Sequence, residues 1–389
     1  MRASDGESRR FTHIQLKNWK NFLRVEVSLG RRAYLAGPCA SGKTNFLDLF
    51  RFLHDLATPG EGFQAAIRKR GGLRKLRCLA ARHDSEVGFL VHVGTNADPA
   101  LWEYELHFTQ DNHPSPVIRR ERAVRGGVEL FLRPGDRDAA EPERLERTFL
   151  EQETGRGELA ELASFFRSVR YWNLAPQLVR EPERAATSNY DAFGGTLLDQ
   201  MAAAPERTGV SRLKAILEAL RPAIPRIEEL EVRRDGRGRP HLRARHEHWR
   251  SRGAVQTEQQ LPDGALRLIG LFWTALDATG PVLAEEPETS LDPRLARLVP
   301  GMLARIEHRS DQQVLVTTHS PDLVESADVR LSEVILLVPG EEATAVRPAL
   351  SVPEARTLLE KGPAGWEPPP PSNEDDAERQ IDLFEAPGT

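Results

Sequence analysis

Apolar and polar positions alternate near the start of the chain as they do in strands buried on one face: FTHIQLKNW (11–19), LRVEVSL (23–29) and RAYLAG (32–37). The period then changes. Phe46, Leu47, Phe50, Leu53 and Leu56 recur at helical spacing, predicting a helix over 44–57 directly after a glycine-rich stretch. A basic turn and short helix follow over 67–82. EVGFLVHV, LWEYELHF and VIRRERAV then read as antiparallel strands separated by polar turns. An acidic and arginine-rich helix is expected over about 141–167, a strand at VRYWNL, a helix over 212–220 and a basic hairpin over 227–250 with an Asp-Gly turn. The remainder alternates helix and strand: helix 265–278, strand PVLAEE, helix 293–307, strands QVLVTTHS and EVILLV. Both ends thus carry strands with flanking helices. One domain over 1–365, assembled from about 11–57 and 261–350 with an insertion at 58–260, is expected. Residues 366–389 are proline-rich and then acidic, the composition of a disordered tail.

Composition narrows the function classes. With 389 residues the chain can bury a large core, and its net charge of -5 argues against a wholly basic, histone-like protein, so any nucleic-acid contact must be local. Two cysteines, Cys39 and Cys78, are too few for a disulfide framework or a Cys-x-x-Cys metal site. No apolar run approaches the roughly 18 residues of a membrane span, and the N-terminus has no apolar leader. No membrane association and a reducing, cytoplasmic location are expected.

Three motifs carry chemistry. Gly37-Pro38-Cys39-Ala40-Ser41-Gly42-Lys43-Thr44 matches the phosphate-binding pattern G-x-x-x-x-G-K-[ST] between a predicted strand and a predicted helix. Backbone N–H groups of such a loop cradle phosphate oxygens, Lys43 would reach the terminal phosphates, and the Thr44 hydroxyl would ligate Mg²⁺. Gly37, Ser41, Gly42, Lys43, Thr44 and Asn45 are therefore candidate ATP-binding residues. PVLAEEPETSLDP (281–293) ends an apolar strand in Glu285 and Glu286, placed to act on the metal and on the attacking water respectively. His319 follows the strand VLVTT and reads as a γ-phosphate sensor.

With these motifs in that order, the chain resembles ATP-binding-cassette-type ATPases of the RecF, SMC and OLD branch. IQLKNWKNF resembles their opening strand, GPCASGKTNFLDLFRFL their Walker A loop and helix, and LPDGALRLIGLFWTALD (261–277) their signature segment. VLAEEPETSLDP resembles their Walker B strand and D-loop, and VLVTTHSPDLVE their switch histidine. The resemblance implies an α/β fold, a P-loop ABC-type ATPase head with an antiparallel β lobe and a helical and β insertion. It implies ATP and Mg²⁺ as cofactors, Glu286 and His319 as catalytic residues, and Glu285 with Thr44 at the metal. It also implies a homodimer in the ATP state, with Asp263 and Gly264 completing the opposite protomer's site and Asp292 nearby. Gln177 is the candidate metal-sensing glutamine. Four positions depart from the pattern. Cys39 and Ala40 replace the common Asn and Gly, Glu285 replaces the usual Asp, and Pro262 replaces the signature Ser, removing a hydroxyl contact and implying slow hydrolysis.

The basic runs at Arg68, Lys69, Arg70, Arg74, Lys75 and Arg77, and at Arg233, Arg234, Arg237, Arg239, Arg243 and Arg245, leave two readings open, a DNA footprint or a solvated face. In the tail, QIDLF resembles the peptide that docks bacterial proteins to the sliding clamp, with Gln380, Leu383 and Phe384 as anchors. The expected role is a DNA-linked ATPase in repair or genome surveillance. The alternative is a regulatory subunit of an anti-phage defence system controlling a separate effector protein; a transporter role is disfavoured because the long insertion shows no membrane-coupling pattern.

Overall fold

The computed structural model describes residues 8–353, except 83, 111–114, 153–156, 185–190 and 248–253. In chain order the strands are β1 (Arg10–Trp19), β2 (Phe22–Ser28), β3 (Arg32–Ala36), β4 (Val87–Gly94), β5 (Trp102–Thr109), β6 (Val117–Arg125), β7 (Val128–Arg133) and β8 (Arg170–Trp172). They continue with β9 (Ile227–Arg234), β10 (Pro240–His246), β11 (Ala254–Thr257), β12 (Val282–Glu285), β13 (Val314–Thr318), β14 (Val334–Pro339) and β15 (Thr344–Pro348). Among the described residues two compact units share them, one of 8–30, 35–168 and 331–353, the other of Arg31–Tyr34 and Val169–Arg330. Within the described residues no helix is long and apolar enough to cross a membrane.

In the first unit an antiparallel sheet runs β2-β1-β4-β5-β6-β7. Its inner face takes the apolar half of each alternating strand: Phe11, Ile14 and Leu16 from β1, Phe89 and Val91 from β4, Tyr104, Leu106 and Phe108 from β5, all buried. Helix Lys43–Ala57 lays Phe46, Phe50, Leu53 and Leu56 into this core. The rings interlock edge-on, Phe11 with Phe50 at 4.7 Å and Trp19 with Phe52 at 5.3 Å between centroids. Each such side chain contributes about 1.5–3 kcal/mol by leaving water. A second element of this unit is the antiparallel pair β14 and β15, with the end of β3 beside β14.

The second unit has a sheet in the order β3-β13-β12-β8, where β12 pairs parallel with both β13 and β8. The start of β3 joins it through Val314 N–H donating to Arg31 O at 2.9 Å. Strands β12 and β13 are apolar without alternation, as strands covered on both faces are. Helix Asp263–Asp277, almost wholly buried, packs on Val299–Ser310 and Glu206–Leu220. The small sheet β11-β10-β9 belongs here too.

Several expectations are corrected. The segment 58–260 is not one insertion: β4–β7 extend the sheet begun by β1 and β2, and the chain passes to the other unit at Val169. The helix expected over about 141–167 is broken into Pro142–Glu146, Phe149–Gln152 and Ala160–Ser168. Gly157, before the last of these, disfavours a continuous helix. The helix expected over 293–307 ends at Ala296 and restarts at Val299, because Pro300 fits only a first helical turn. The hairpin forms as expected, Asp235 accepting from Arg237 and Arg239 N–H at 2.8 and 2.9 Å, with β11 added as a third strand. The tail, with Gln380, Leu383 and Phe384, lies outside the described residues.

Candidate functional site

The phosphate-binding loop is held open by geometry that only small residues permit. A Cβ on Gly37 would stand 2.6 Å from Leu337 O, and Gly42 has φ 93°, a left-handed conformation that suits glycine. Ala40 adopts φ 63°, a left-handed conformation that strains a residue with a Cβ. Helix Lys43–Ala57 starts from Gly42 with no side-chain cap and no acidic residue in its first turn. Its first N–H groups are thus left for an anion. Lys43 is buried, its Nζ donating to Gly37 O at 3.0 Å and Pro38 O at 2.9 Å. The Ser41 hydroxyl is buried and lacks a hydrogen-bond partner, a polar orphan inside the cradle. Thr44 is exposed in the first turn. These features fit a bound triphosphate.

Sequence reasoning missed Asn21, in the turn between β1 and β2. Its amide donates to Ser41 O at 3.2 Å and Thr344 Oγ1 at 2.8 Å, and its Oδ1 accepts from Asn45 Nδ2 at 2.8 Å. One side chain therefore ties the loop, the helix start and β15 together. A turn asparagine carries no signal of this, since its partners are 20 to 323 residues away. Asn21→Ala is expected to cost about 1–3 kcal/mol, read as a lowered urea midpoint, and to weaken ATP binding.

In the second unit the parallel register sets Glu285 beside Thr317 at the carboxyl ends of β12 and β13. Just past the two strand ends, Glu286 and His319 face one another. Glu286 Oε1 lies 3.1 Å from His319 Nδ1. Glu286 itself has φ 43°, a left-handed conformation uncommon for a side chain of this size. Its backbone is pinned from both sides: its N–H donates to Thr317 O at 3.1 Å and Arg267 Nη2 donates to its carbonyl at 3.0 Å. Tyr171, on the neighbouring strand β8, donates its hydroxyl to the Glu285 carboxylate. Behind them Glu288 is buried and accepts from Thr318 Oγ1 at 2.6 Å; burial pushes its pKa up. Arg267 lies over the Trp172 ring at 5.2 Å, and burial lowers its pKa. Tyr171, Glu288 and Arg267 were not among the residues expected from sequence.

The remaining candidates are placed as follows. Asp263 opens helix Asp263–Asp277 and pairs with Arg180 at 2.7 Å. Gly264 packs against the turn after Glu288, where a Cβ would stand 2.9 Å from Ser290 O. Asp292 caps helix Pro293–Ala296, its Oδ1 accepting from Arg294 N–H at 2.9 Å and Leu295 N–H at 3.1 Å. Gln177 is exposed on helix Pro176–Arg180, and no hydrogen bond of its side chain reaches Glu285 or Glu286. The described residues hold no cluster of three or more His, Cys, Asp or Glu side chains suited to a metal. Cys39 is exposed and Cys78 buried.

The basic runs are partly neutralised, six of their twelve residues having a carboxylate partner among the described residues. Arg70 is buried against Asp48 at 2.9 Å and Asp55 at 2.7 Å, while Lys69 pairs with Asp55 at 3.2 Å. On the hairpin, Arg233 and Arg243 reach Glu231 and Arg245 reaches Glu229.

Comparison with known proteins shows the fold and the family. No curated protein matches the chain. Among solved structures it is similar to an SMC head described as bound to the C-winged helix domain of ScpA, with 13% identity, 87% of this chain and 97% of that chain covered, and a TM-score of 0.55. It is also similar to the SMC head domain with an extended coiled coil bound to the C-terminal domain of ScpA derived from Pyrococcus furiosus, with 11% identity, 91% and 99% covered, and a TM-score of 0.52. At such identities the likeness shows the fold, an α/β head of the ABC type with an antiparallel and a mixed sheet. A family model described as "AAA domain, putative AbiEii toxin, Type IV TA system" matches residues 33–325, most of the chain, and the chain belongs to that family of P-loop ATPase domains.

Proposed function

We propose that this protein binds and hydrolyses ATP and that ATP drives it into a homodimer. The observation that carries the reading is the Glu286–His319 pair at the ends of adjacent parallel strands, in a chain with a complete phosphate-binding loop. Ser41, Gly42 and Lys43 would hold the phosphates, with Gly37 and Asn45 shaping the loop. Glu286 would take a proton from the attacking water, and His319, whose Nδ1 lies 3.1 Å from its Oε1, would orient its carboxylate. Thr44 and Glu285 would hold Mg²⁺, with Gln177 as a third ligand, and the ion would supply charge neutralisation at the terminal phosphates. The Tyr171 hydroxyl fixes one carboxylate oxygen of Glu285, which is one methylene longer than the usual Asp. Asp263, Gly264 and Asp292 would face the nucleotide of the second protomer.

His319→Ala is expected to lower turnover by about 10²-fold, with little change in ATP affinity, because Glu286 loses its orientation. Steady-state phosphate release against ATP concentration separates the two effects.

The work done with ATP is assigned to DNA replication-linked repair or genome surveillance in the cytoplasm, with Gln380, Leu383 and Phe384 docking to the sliding clamp. A second reading, control of a separate effector in a defence system, is favoured by the family's description as a toxin–antitoxin component and by the internal pairing of the basic runs. Turnover measured with and without double-stranded DNA, alongside mass in solution, tests the choice. DNA stimulation and an ATP-dependent doubling of mass support the first reading. Turnover indifferent to DNA moves the assignment to the second, and a constant monomer mass overturns the dimer.

A further inference from the structure

The outer face of the antiparallel sheet holds a cleft of about 570 Å³ in which no residue of the phosphate-binding loop takes part. Strand register builds it. Arg24 stands opposite Lys17, Lys17 opposite Gly88, Gly88 opposite His107 and His107 opposite Arg120. With strands about 4.8 Å apart, this row across β2, β1, β4, β5 and β6 is roughly 19 Å long. Every member except Gly88 is basic. The imidazole of His107 lies across that glycine, where a Cβ would stand 2.8 Å from Nδ1 and close the floor.

Three carboxylates pin the row, the first of them Asp84 at 3.0 Å from Lys17 Nζ. Glu86 sits 3.0 Å from Lys17 Nζ and 2.8 Å from His107 Nδ1, and Glu105 sits 3.2 Å from His107 Nε2 and 2.9 Å from Arg120 Nε. The His107 hydrogen bond, opposed by burial, holds the Glu86 pKa down to about 2. For His107 burial works against the charged ring, but Glu105 and Glu86 outweigh it and raise its pKa. Arg119, next along β6, is exposed at the cleft and has no ion-pair or hydrogen-bond partner among the described residues. Leu132 and Pro134 form an apolar wall.

We propose that this cleft binds a small phosphorylated molecule of nucleotide size, its phosphate on Arg119 and Arg120, its hydroxyl or amino donors on Glu86 and Glu105, and its ring against Leu132 and Pro134. The volume falls within the range of about 300–1,000 Å³ found for small-ligand sites. Clustered guanidinium groups favour phosphate, which they meet with paired N–H donors. A bare anion would gain nothing from the Glu86 and Glu105 carboxylates or the apolar wall, whereas a phosphorylated nucleoside or sugar engages these and the arginines together.

The test is independent of ATP hydrolysis. Calorimetric titration of the full-length Lys43→Ala protein, whose ATP site is weakened, uses adenosine 5′-monophosphate, ribose 5-phosphate and inorganic phosphate as probes. Binding of either organic phosphate with Kd of about 1 mM or tighter, weakened at least about tenfold when Arg119→Glu and Arg120→Glu are added, is the expected result. Four outcomes overturn the proposal: no heat from any probe, affinity unchanged by the two arginine substitutions, inorganic phosphate bound as tightly as the organic phosphates, or a ten-nucleotide oligothymidylate bound more tightly than adenosine 5′-monophosphate.

Discussion

Glu286→Gln is expected to lower ATP turnover by about 10²–10⁴-fold while ATP remains bound. Glutamine keeps the length and shape of the side chain and still places an oxygen beside His319 Nδ1, but its amide does not take a proton from water. The backbone constraints at Glu286, its N–H on Thr317 O and its carbonyl on Arg267, do not depend on the side chain, so the left-handed conformation persists. The loss therefore falls on kcat, with KM close to its original value. Phosphate release at saturating ATP, with nucleotide binding followed separately, reads both. Equal turnover in the variant and the parent would remove Glu286 from the proton-accepting role.

The largest effect on stability is expected at Arg133, the last residue of β7. Its guanidinium is buried between Glu121, at 3.1 Å, and Asp138, at 3.0 Å, and also donates to Arg144 O at 2.8 Å and Arg147 O at 3.2 Å. Glu121 has no solvent exposure and also accepts from the Tyr104 hydroxyl and the Phe149 N–H, both at 2.9 Å. Arg133→Met keeps most of the volume but strands two carboxylates in the interior. Removing one partner of a buried pair costs about 3–5 kcal/mol. A urea denaturation midpoint lowered to match is expected, with part of the loss recovered in Arg133→Met combined with Glu121→Leu. A midpoint unchanged by Arg133→Met would show that water reaches these carboxylates.

The parts of the site that could be read from sequence are those set by near neighbours. Gly37 to Asn45 declares itself because a loop of fixed spacing sits between a strand and a helix, and Glu285, Glu286 and His319 because each ends an apolar strand. Residues whose roles depend on strand register stayed hidden. Tyr171 reaches Glu285 only because β8 lies beside β12, and Asn21 touches Thr344 across 323 positions of chain. Basic runs mislead for the same reason: Arg70 looks like surface charge until folding brings Asp48 and Asp55 to it. Strand β7 escaped notice because both faces of an edge strand are partly exposed, which blurs the alternation that reveals β4 and β5.

The central claim is that the phosphate-binding loop supports ATP hydrolysis. Phosphate release by the purified protein with ATP and Mg²⁺, measured beside Lys43→Ala, tests it most directly. The account predicts steady turnover by the parent and at least about a hundredfold loss in the variant, since on this proposal Lys43 would be the charged group that meets the terminal phosphates. No turnover by the parent, or equal turnover in both proteins, would contradict it.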